Sequence, residues 1–479
     1  MIIAIIIKLL LFVLFSISFN KGVGKEETNN YIFVNSKDFN SYVDPAINFI
    51  ETGTCFELMA NKKLYAHKMP GMVPILAPLY FLFGYSWSLT FLVILQFIAD
   101  VIACVMLASI TFKLTKNRAM TWVSFSIFTL STIVSVSSHY AVSELFCTCF
   151  SIYSFYFVIF SYKNNGYWTG GLFAAWAIFF RPTAILLLIV IPLLLLGLKK
   201  QNYFIHGIQL KKAVIIFLTP FIFFESCWII RNYVLMERFI PAEISQENFG
   251  DPAFKSLISL IQSIGGDNQS WNPDSEMRWF NTPGTINYDS NFAESNPFPN
   301  YALSNGMPLD SLLNLRSKYY RYTFNTQNFN IQIEDSIVRQ SNRLILSFKK
   351  QAPLYYYFIS PLRIVKTFLF IKRPYGFSFK VNGVLEKSIR FWHYAFYQII
   401  LWLSIISFVF VRKMGNLKVL VLFVISHVFI YGIILRLSEN RYIVPIYPFM
   451  SILASFAIIQ LFTKFQNKFK LLQNHNFGN

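Results

Sequence analysis

The stretch "YWTGGLFAAWAIFFRPTAILLLIVIPLLLLG" (residues 167–197) decides the fold class of this chain. Its apolar residues continue for longer than one membrane crossing needs, because about 20 helical residues span a bilayer core of about 30 Å. The step Arg181-Pro182-Thr183 divides the stretch, since proline donates no backbone hydrogen bond and disfavours a helical residue before it. The stretch therefore predicts two short membrane helices that meet at Arg181.

Similar apolar runs recur along the chain. The sequence is 55% hydrophobic and 14% charged, with a mean hydropathy of +0.47, a composition unlike that of a soluble domain. The long runs lie at 2–19, 86–112, 119–138, 141–161, 167–197, 212–231, 391–411, 418–436 and 442–463. With the divided run counted twice, they predict an all-α polytopic membrane protein with about ten transmembrane helices.

The formal charge of +19 indicates orientation. Basic residues cluster in the short connections of one side, around Lys113, Lys163, Lys199 and Arg412, and in the tail. The positive-inside rule makes that side cytoplasmic. These cations are divided among several loops, whereas a nucleic-acid site gathers them on one face, so nucleic acid is excluded as a partner.

Two long segments fall on the opposite side of the membrane. We expect an N-terminal transmembrane region at 1–232, with a catalytic outer loop at 20–72, and C-terminal transmembrane helices with a cytoplasmic tail at 391–479. Between them, 233–390 is expected to form a non-cytoplasmic insert of mixed structure, because its first part is rich in turn-forming residues. The insert ends near 353–374 in a segment that mixes aromatic and basic residues, which predicts an interfacial helix.

The outer loop contains "KDFNSYVDPAINFIETG" (residues 37–53), with two carboxylates of different character. Asp44 precedes Pro45 and a short apolar run that ends at Gly53, a pattern that predicts an N-cap, a first helical position and a helix stop. Asp38 has no such structural role. It is a candidate general base at the membrane surface, or else a solvated loop residue.

The same loop ends in "LYAHKMPG" (residues 64–71), where Pro70 and Gly71 begin the next membrane segment. Lys68 is a candidate phosphate ligand at the mouth of a cavity, although a lysine there can also extend its ammonium toward the interface. His67 is a candidate metal ligand or phosphate donor. Tyr65 precedes both of them.

Charged residues lie at the outer ends of several other predicted helices. Arg181, Arg231 and Arg441 are positive on the non-cytoplasmic side, against the topology rule, and Glu144 follows another crossing. Each arginine alone is an interfacial anchor. Together with Lys68 they favour an anionic ligand, since arginine holds phosphate through two donors at once.

These motifs, in this order, resemble the GT-C superfamily of membrane glycosyltransferases. The chain is similar in particular to glycosyltransferase family 39, which includes the protein O-mannosyltransferases and the lipid A aminoarabinose transferases. The resemblance lies in Asp38 with Tyr42 and Ala46 behind it, "ETG" (51–53), Lys68 with Pro70 and Gly71, "SELF" (143–146), "RPTA" (181–184), "RNY" and "FIP" within 231–241, and "ENRYIVPIYP" (439–448).

The resemblance implies an inverting enzyme that moves a sugar from a polyprenyl-phosphate carrier to an acceptor on the non-cytoplasmic face. In this scheme Asp38 is the catalytic base, and Asp44 is an alternative acid. Binding of the donor phosphate and sugar falls on Tyr42, Tyr65, Lys68, Arg181, Arg231 and Arg441. No cofactor is certain, but a divalent metal is compatible with the family, and His67 stands at the matching position. Phe39 follows Asp38 where the O-mannosyltransferases have a second acid, which argues against a close relationship with them.

The alternative class is a transporter or flippase of a lipid-linked saccharide, which also needs outer cations and a lipid groove. It predicts polar residues deep within several helices, whereas crossings such as 182–197 carry almost none. The expected location is the inner membrane, with the site on the periplasmic or extracytoplasmic side. The partners are membrane lipids, the donor, and a lipid, glycan or protein acceptor. The sequence leaves open the sugar (a hexose or a pentose), the acceptor and the oligomeric state.

Overall fold

The computed structural model describes residues 1–22, 39–59, 62–161, 164–200, 209–242, 252–267, 275–280, 298–324, 331–370, 384–413 and 415–476. The predicted base Asp38 and the cation Lys163 lie outside the described residues. The described part is predominantly helical, which confirms the predicted fold class of a helical, multi-pass membrane protein.

Six helical segments of the described residues are long and apolar enough to cross a membrane: Pro70–Thr115, Pro182–Lys199, Leu210–Met236, Lys387–Phe410, Gly415–Ile434 and Arg441–Lys468. The helices Arg118–Thr129 and Thr132–His139 meet at 41° and add a seventh span if they form one broken crossing. Two shorter apolar helices occupy Ile2–Ser16 and Glu144–Ile159. The count of about ten crossings stays a prediction.

The chain divides into two compact units. The first unit comprises Met1–Ile244, Lys372–His427 and Arg441–Asn479, and the second comprises Ser245–Ile371 and Val428–Asn440. The sequence predicted domain boundaries at 232/233 and 390/391. These boundaries stay a prediction, and they differ from the limits of the two compact units.

The first unit contains the N-terminal helices and one short hairpin. Its elements are α1 (Ile2–Gly22), α2 (Phe39–Thr52), β1 (Glu57–Met59), β2 (Lys62–Leu64), α3 (Val73–Thr115), α4 (Arg118–Thr129), α5 (Thr132–Ser135), α6 (Glu144–Ile159), α7 (Asn164–Phe180), α8 (Leu187–Lys200) and α9 (Leu210–Met236). Helix α6 packs on α7 and α7 on α9, while α3 packs on α2, α4 and α6. As the sequence predicts, the apolar stretch 167–197 is divided at Arg181, because α7 ends at Phe180 and a 3-10 turn follows from Pro182 to Leu186.

The second unit has its own apolar core. Its helices are α10 (Pro252–Ser263), α11 (Asn300–Leu303), α12 (Leu309–Phe324), α13 (Ile331–Gln351) and α14 (Ser360–Leu369), with 3-10 and π turns at Glu276–Phe280, Tyr355–Ile359 and Ile430–Ile434. Leu257, Phe280 and Phe348 are among the fully buried side chains. The predicted interfacial segment near 353–374 is helical up to Leu369, while its position at a membrane surface stays a prediction.

The C-terminal helices belong mainly to the first unit. They are α15 (Val384–Ser407), α16 (Lys418–Phe429) and α17 (Tyr447–Asn476), and α17 packs against α15 and α4. A 3-10 segment, Asn440–Ile446, precedes α17 and carries Arg441. This packing explains how a C-terminal cation can approach residues of the N-terminal half.

Candidate active site

A short β-hairpin brings an acid of the outer loop into a pocket. Strands β1 and β2 pair antiparallel with Glu57 opposite Leu64, and Glu57 is only 5% exposed. One Glu57 oxygen accepts a 2.8 Å hydrogen bond from the hydroxyl of Ser41 on α2. The other lies 2.5 Å from Nδ1 of His67. Glu57 thus joins α2, the hairpin and the segment before α3.

The surroundings of Glu57 favour its charged form. Burial alone would raise the pKa of this carboxyl, but hydrogen bonds from His67 and Ser41 and electrostatic interactions with His67 and Lys68 outweigh burial. The pKa of Glu57 therefore lies below its ordinary value, and the pocket contains a carboxylate at neutral pH.

Asp44 is a second, weaker acid near Glu57. Burial, and then the negative charge of Glu57, raise the pKa of Asp44 to about 6. Its predicted role as an N-cap is wrong, because α2 already extends from Phe39 and includes Asp44 and Pro45 in its interior. Pro45 has no N–H for the carbonyl four residues earlier, a local cost that the packing of α2 on α3 overrides. The predicted stop at Gly53 is present, with a φ of 74° and its N–H bonded to the Phe49 carbonyl.

Four of the predicted site residues meet around Glu57. Tyr42, Tyr65, His67 and Lys68 all line one pocket of about 20 Å³, a space of roughly one water molecule, so their side chains are closely packed. The Lys68 ammonium lies 6.0 Å from the ring centre of Tyr42. The Tyr42 hydroxyl accepts a 3.2 Å hydrogen bond from Ser143.

Arg231 lies beside this pocket and bonds to the backbone of the outer loop. Its guanidinium donates to the carbonyls of Tyr65 and Cys55, 2.5 Å away in each case, and stacks 4.8 Å from the Trp228 ring. Arg231 therefore ties the two ends of the hairpin to α9. Its predicted part in binding the donor phosphate stays a prediction.

Arg181 and Arg441 lie in a separate cluster around Glu144. Glu144 is fully buried and pairs with Arg181, and the same Glu144 oxygen lies 3.7 Å from Nε of Arg441. Both guanidinium groups approach the Tyr442 ring, at 4.7 and 5.4 Å. Neither arginine lines the pocket around Glu57, although Ser143, which bonds to Tyr42, directly precedes Glu144. Their phosphate-binding role also stays a prediction.

A metal site at His67 is a further prediction from the sequence. His67 and Glu57 supply one nitrogen and one carboxylate, and no group of three metal-ligating side chains occurs among the described residues. A protein zinc site commonly uses three or four such ligands. The described pair falls short of that set, so no chemical step is assigned to a metal.

An apolar groove of about 670 Å³ adjoins the pocket. The groove and the pocket share Cys55, Pro70, Val73 and Trp228 as lining residues, and Arg231 lines the groove. The rest of its wall is mainly aromatic and aliphatic, including Phe49, Phe81, Trp176, Phe179 and Phe224. A long apolar chain could therefore lie in the groove with a polar end at the pocket.

Glu57 is a site residue that no sequence motif indicated. The residue lies in a short polar segment with no cap pattern or hydrophobic periodicity, and nothing local distinguishes it from a solvated glutamate. A weak signal was available, since Glu57 and His67 both lie in the outer loop that was expected to carry the site.

No protein-family model matches the chain, and comparison with curated proteins finds no match. Among solved structures, the chain is similar to the oligosaccharyltransferase AglB from Archaeoglobus fulgidus in complex with an inhibitory peptide and a dolichol-phosphate. The identity is 11%, the TM-score 0.46, and the match covers 98% of this chain and 52% of AglB. The apo form of that oligosaccharyltransferase matches at the same identity and coverage, with a TM-score of 0.49. ArnT from Cupriavidus metallidurans bound to undecaprenyl phosphate matches with 10% identity and a TM-score of 0.34, over 95% of this chain and 77% of ArnT.

These similarities are remote. The chain spans about half the length of the AglB structures. At these identities and TM-scores no residue role is transferred from these structures to this chain.

Proposed function

We propose that this chain is an integral-membrane, inverting glycosyltransferase that takes a sugar from a polyprenyl-phosphate carrier. The observation that carries the proposal is the shared wall between a charged pocket and an apolar groove. A lipid-phosphate sugar is an amphiphile of that pattern, with a long apolar tail, an anionic link and a polar head. The groove suits the tail, and Lys68 at the pocket suits the anionic link.

In the proposed reaction, an acceptor hydroxyl attacks the anomeric carbon from the face opposite the phosphate. The bond from that carbon to the phosphate oxygen breaks, and polyprenyl phosphate leaves with the electron pair. The hydroxyl proton passes to a carboxylate, for which Asp38 is our candidate, with Asp44 as the alternative. In this scheme Lys68 and Arg231 stabilise the charge that grows on the phosphate.

Glu57 has a supporting part in this scheme. Its two oxygens already accept from Ser41 and His67, so it orients these two side chains. Because a misplacement of about 1 Å can reduce a rate by roughly 100-fold, such positioning has a direct catalytic effect.

Binding of the lipid carrier can be tested with two native cysteines. Cys55 and Cys227 line the groove, whereas Cys104, Cys147 and Cys149 are buried. We expect undecaprenyl phosphate to slow maleimide alkylation of the purified protein, and the variants Cys55→Ala and Cys227→Ala assign the effect to each thiol. Equal alkylation rates with and without the lipid would contradict a lipid site in this groove.

Transfer itself needs a test in the host. After deletion of the gene, complementation with wild type, Asp38→Asn or Asp44→Asn is followed by mass spectrometry of the envelope glycolipids and glycoproteins. A sugar-sized mass that wild type restores and Asp38→Asn does not would support transfer with Asp38 as base, and would identify the sugar as hexose or pentose and its acceptor. Restoration by Asp38→Asn but not by Asp44→Asn would move the base to Asp44. Loss of whole saccharide chains, rescued by every variant, would indicate the transporter or flippase instead.

The same experiment bears on location. We expect the modified molecules on the extracytoplasmic side of the inner membrane, because the outer loop carries the pocket and the basic loops face the cytoplasm. Modified products confined to the cytoplasmic face would contradict this orientation.

A further inference from the structure

A buried ion pair lies among the membrane helices, away from the candidate active site. Lys8 on α1 and Asp100 on α3 are 1% and 2% exposed, and the Lys8 ammonium lies 2.8 Å from an Asp100 oxygen. Charged side chains at membrane depth are costly and are usually retained for a specific role. The proposed reaction uses neither residue.

Lys8 also contacts the break between α4 and α5. Its ammonium donates to Ser135 on α5 at 2.9 Å and to the Phe128 carbonyl at 3.3 Å. Phe128 belongs to the last turn of α4, where the helix dipole favours a positive charge, and its carbonyl also accepts from the backbone N–H of Ser131. Within a membrane such a break persists only where the protein satisfies the freed backbone groups. Lys8 adds two hydrogen bonds at this break, one to each helix, and Asp100 balances its charge.

The segment after this break leads to the candidate active site. Ser135 is followed by a 3-10 turn, Val136–His139, and then by Tyr140, whose carbonyl accepts a 3.1 Å hydrogen bond from Gln96 on α3. Three residues later Ser143 donates its hydroxyl to Tyr42 in the pocket. The pair also holds α1, the helix that precedes α2 in the chain.

We infer that Lys8 and Asp100 act as a positioning pair for the active site. The pair fixes the broken helix α4–α5 against α1 and α3, and thereby sets the place of Ser143 against Tyr42. The effect of this pair on turnover rests on the proposed function. The effect of the pair on the contact between Ser143 and Tyr42 does not.

The contact can be measured without a substrate. In a background without the five native cysteines, Tyr42→Cys and Ser143→Cys are joined by a short bifunctional thiol cross-linker in the full chain. Ser256→Cys with Ser341→Cys provides the reference, because these hydroxyls lie 3.1 Å apart within the second unit.

Two sets of variants then test the pair. In Ser135→Ala both charges of the pair remain, but the Lys8 ammonium loses the hydroxyl on α5 to which it donates. We therefore expect slower cross-linking of positions 42 and 143. Ser138→Ala is the matched control, since Ser138 is equally buried in the same segment and donates only to the local Ser135 carbonyl. The double variant Lys8→Met with Asp100→Leu removes both charges, an exchange that is often neutral or stabilising for a buried pair. We expect it to fold and still to lose the cross-link.

Unchanged cross-linking in Ser135→Ala, at the rate of Ser138→Ala, would overturn the inference. A folded double variant that cross-links positions 42 and 143 at the wild-type rate would also overturn it. Lys8 and Asp100 would then neutralise each other's charge without positioning Ser143. Loss of the cross-link at positions 42 and 143, with the reference pair at 256 and 341 unchanged, would support it. A decrease of turnover by roughly 10-fold to 100-fold at unchanged donor KM would add the catalytic consequence.

Discussion

Glu57 is the charge around which the pocket side chains are arranged. It accepts from Ser41 and His67, and its charge contributes to the raised pKa of Asp44. An acid that is held in this way affects three neighbours at once, so its removal is expected to change binding geometry as well as local charge.

The first prediction concerns Glu57→Gln. The amide has only one acceptor oxygen and no charge, so His67 and Ser41 can no longer each donate to a separate carboxylate oxygen. We expect sugar transfer to decrease roughly 10-fold to 100-fold, measured as product formed with a polyprenyl-phosphate sugar. Glu51→Gln, on the exposed face of α2, is the control. A Glu57→Gln protein as active as this control would remove Glu57 from the site.

The second prediction is a pH dependence of stability that arises from Asp44. Its folded-state pKa is raised to about 6, whereas an unfolded aspartate titrates near pH 4. Between these values the folded protein binds more protons, so the free energy of unfolding decreases as pH rises from about 4 to about 6. The Tm of wild type minus that of Asp44→Asn should fall across this interval and stay level above about pH 7. A constant difference from pH 4 to 8 would contradict the raised pKa.

At the scale of elements, the segment before α3 is placed by a close approach to α7. A Cβ on Gly71 would lie 2.5 Å from the Phe179 carbonyl oxygen, a backbone atom that cannot turn aside. This approach brings the turn Pro70–Met72 against the end of α7, and Lys68 precedes that turn by two residues.

The third prediction follows from that approach. Gly71→Ala is expected to destabilise the protein by about 1–3 kcal/mol, because the added methyl group forces the turn away from α7. The measurement is thermal unfolding in detergent, together with maleimide alkylation of Cys55 in the neighbouring wall. Gly53→Ala is the comparison, since its surroundings are open and its cost comes from a positive φ alone. An unchanged Tm in Gly71→Ala would mean that the turn can move at little cost.

The helical segment before and within α14 has an apolar side that faces outward. Leu354, Phe358 and Leu362 are each at least 60% exposed, and Lys350 and Lys366 lie beyond the two ends of this stripe. An exposed apolar stripe between two cations is typical of a helix that lies in a membrane interface.

The fourth prediction tests that location. In a background with the other tryptophans retained, Phe358→Trp in nanodiscs should add emission that brominated lipids quench. Tyr320→Trp on α12, which is exposed but outside the stripe, should add emission that they do not quench. Equal quenching at the two positions would contradict an interfacial helix.

At the scale of the whole molecule, the cluster around Glu144 joins distant parts of the chain. Glu144 begins α6, Arg181 precedes the Pro182 turn, and Arg441 lies in the 3-10 segment before α17. One buried carboxylate oxygen approaches both guanidinium groups. The cluster therefore connects the N-terminal and C-terminal helices of the first unit through charge as well as apolar packing.

The fifth prediction concerns this cluster. Glu144→Ala leaves two arginines in a protein interior without their common partner and should reduce stability by about 3–5 kcal/mol. Glu144→Gln should cost less, since the amide still accepts one hydrogen bond. Thermal unfolding measures the difference, with the exposed Glu51→Ala as control. A loss of Tm no larger than that of the control would show that other partners hold both arginines.

The sequence alone determined the helical membrane architecture, because a long apolar run and a proline act locally. The division at Arg181-Pro182, the start of a span at Pro70 and the stop at Gly53 all depend on a few neighbouring residues.

The tertiary structure alone decided which polar groups meet. Asp44 has the local pattern of a cap, yet packing places it inside α2. Glu57 has no local pattern, yet the hairpin places it between Ser41 and His67. The pairing of Lys8 with Asp100, and of Arg181 and Arg441 with Glu144, also joins residues that are far apart in the sequence. Electrostatic contacts of this kind depend on distance and burial in the folded chain, and no spacing along the sequence encodes either.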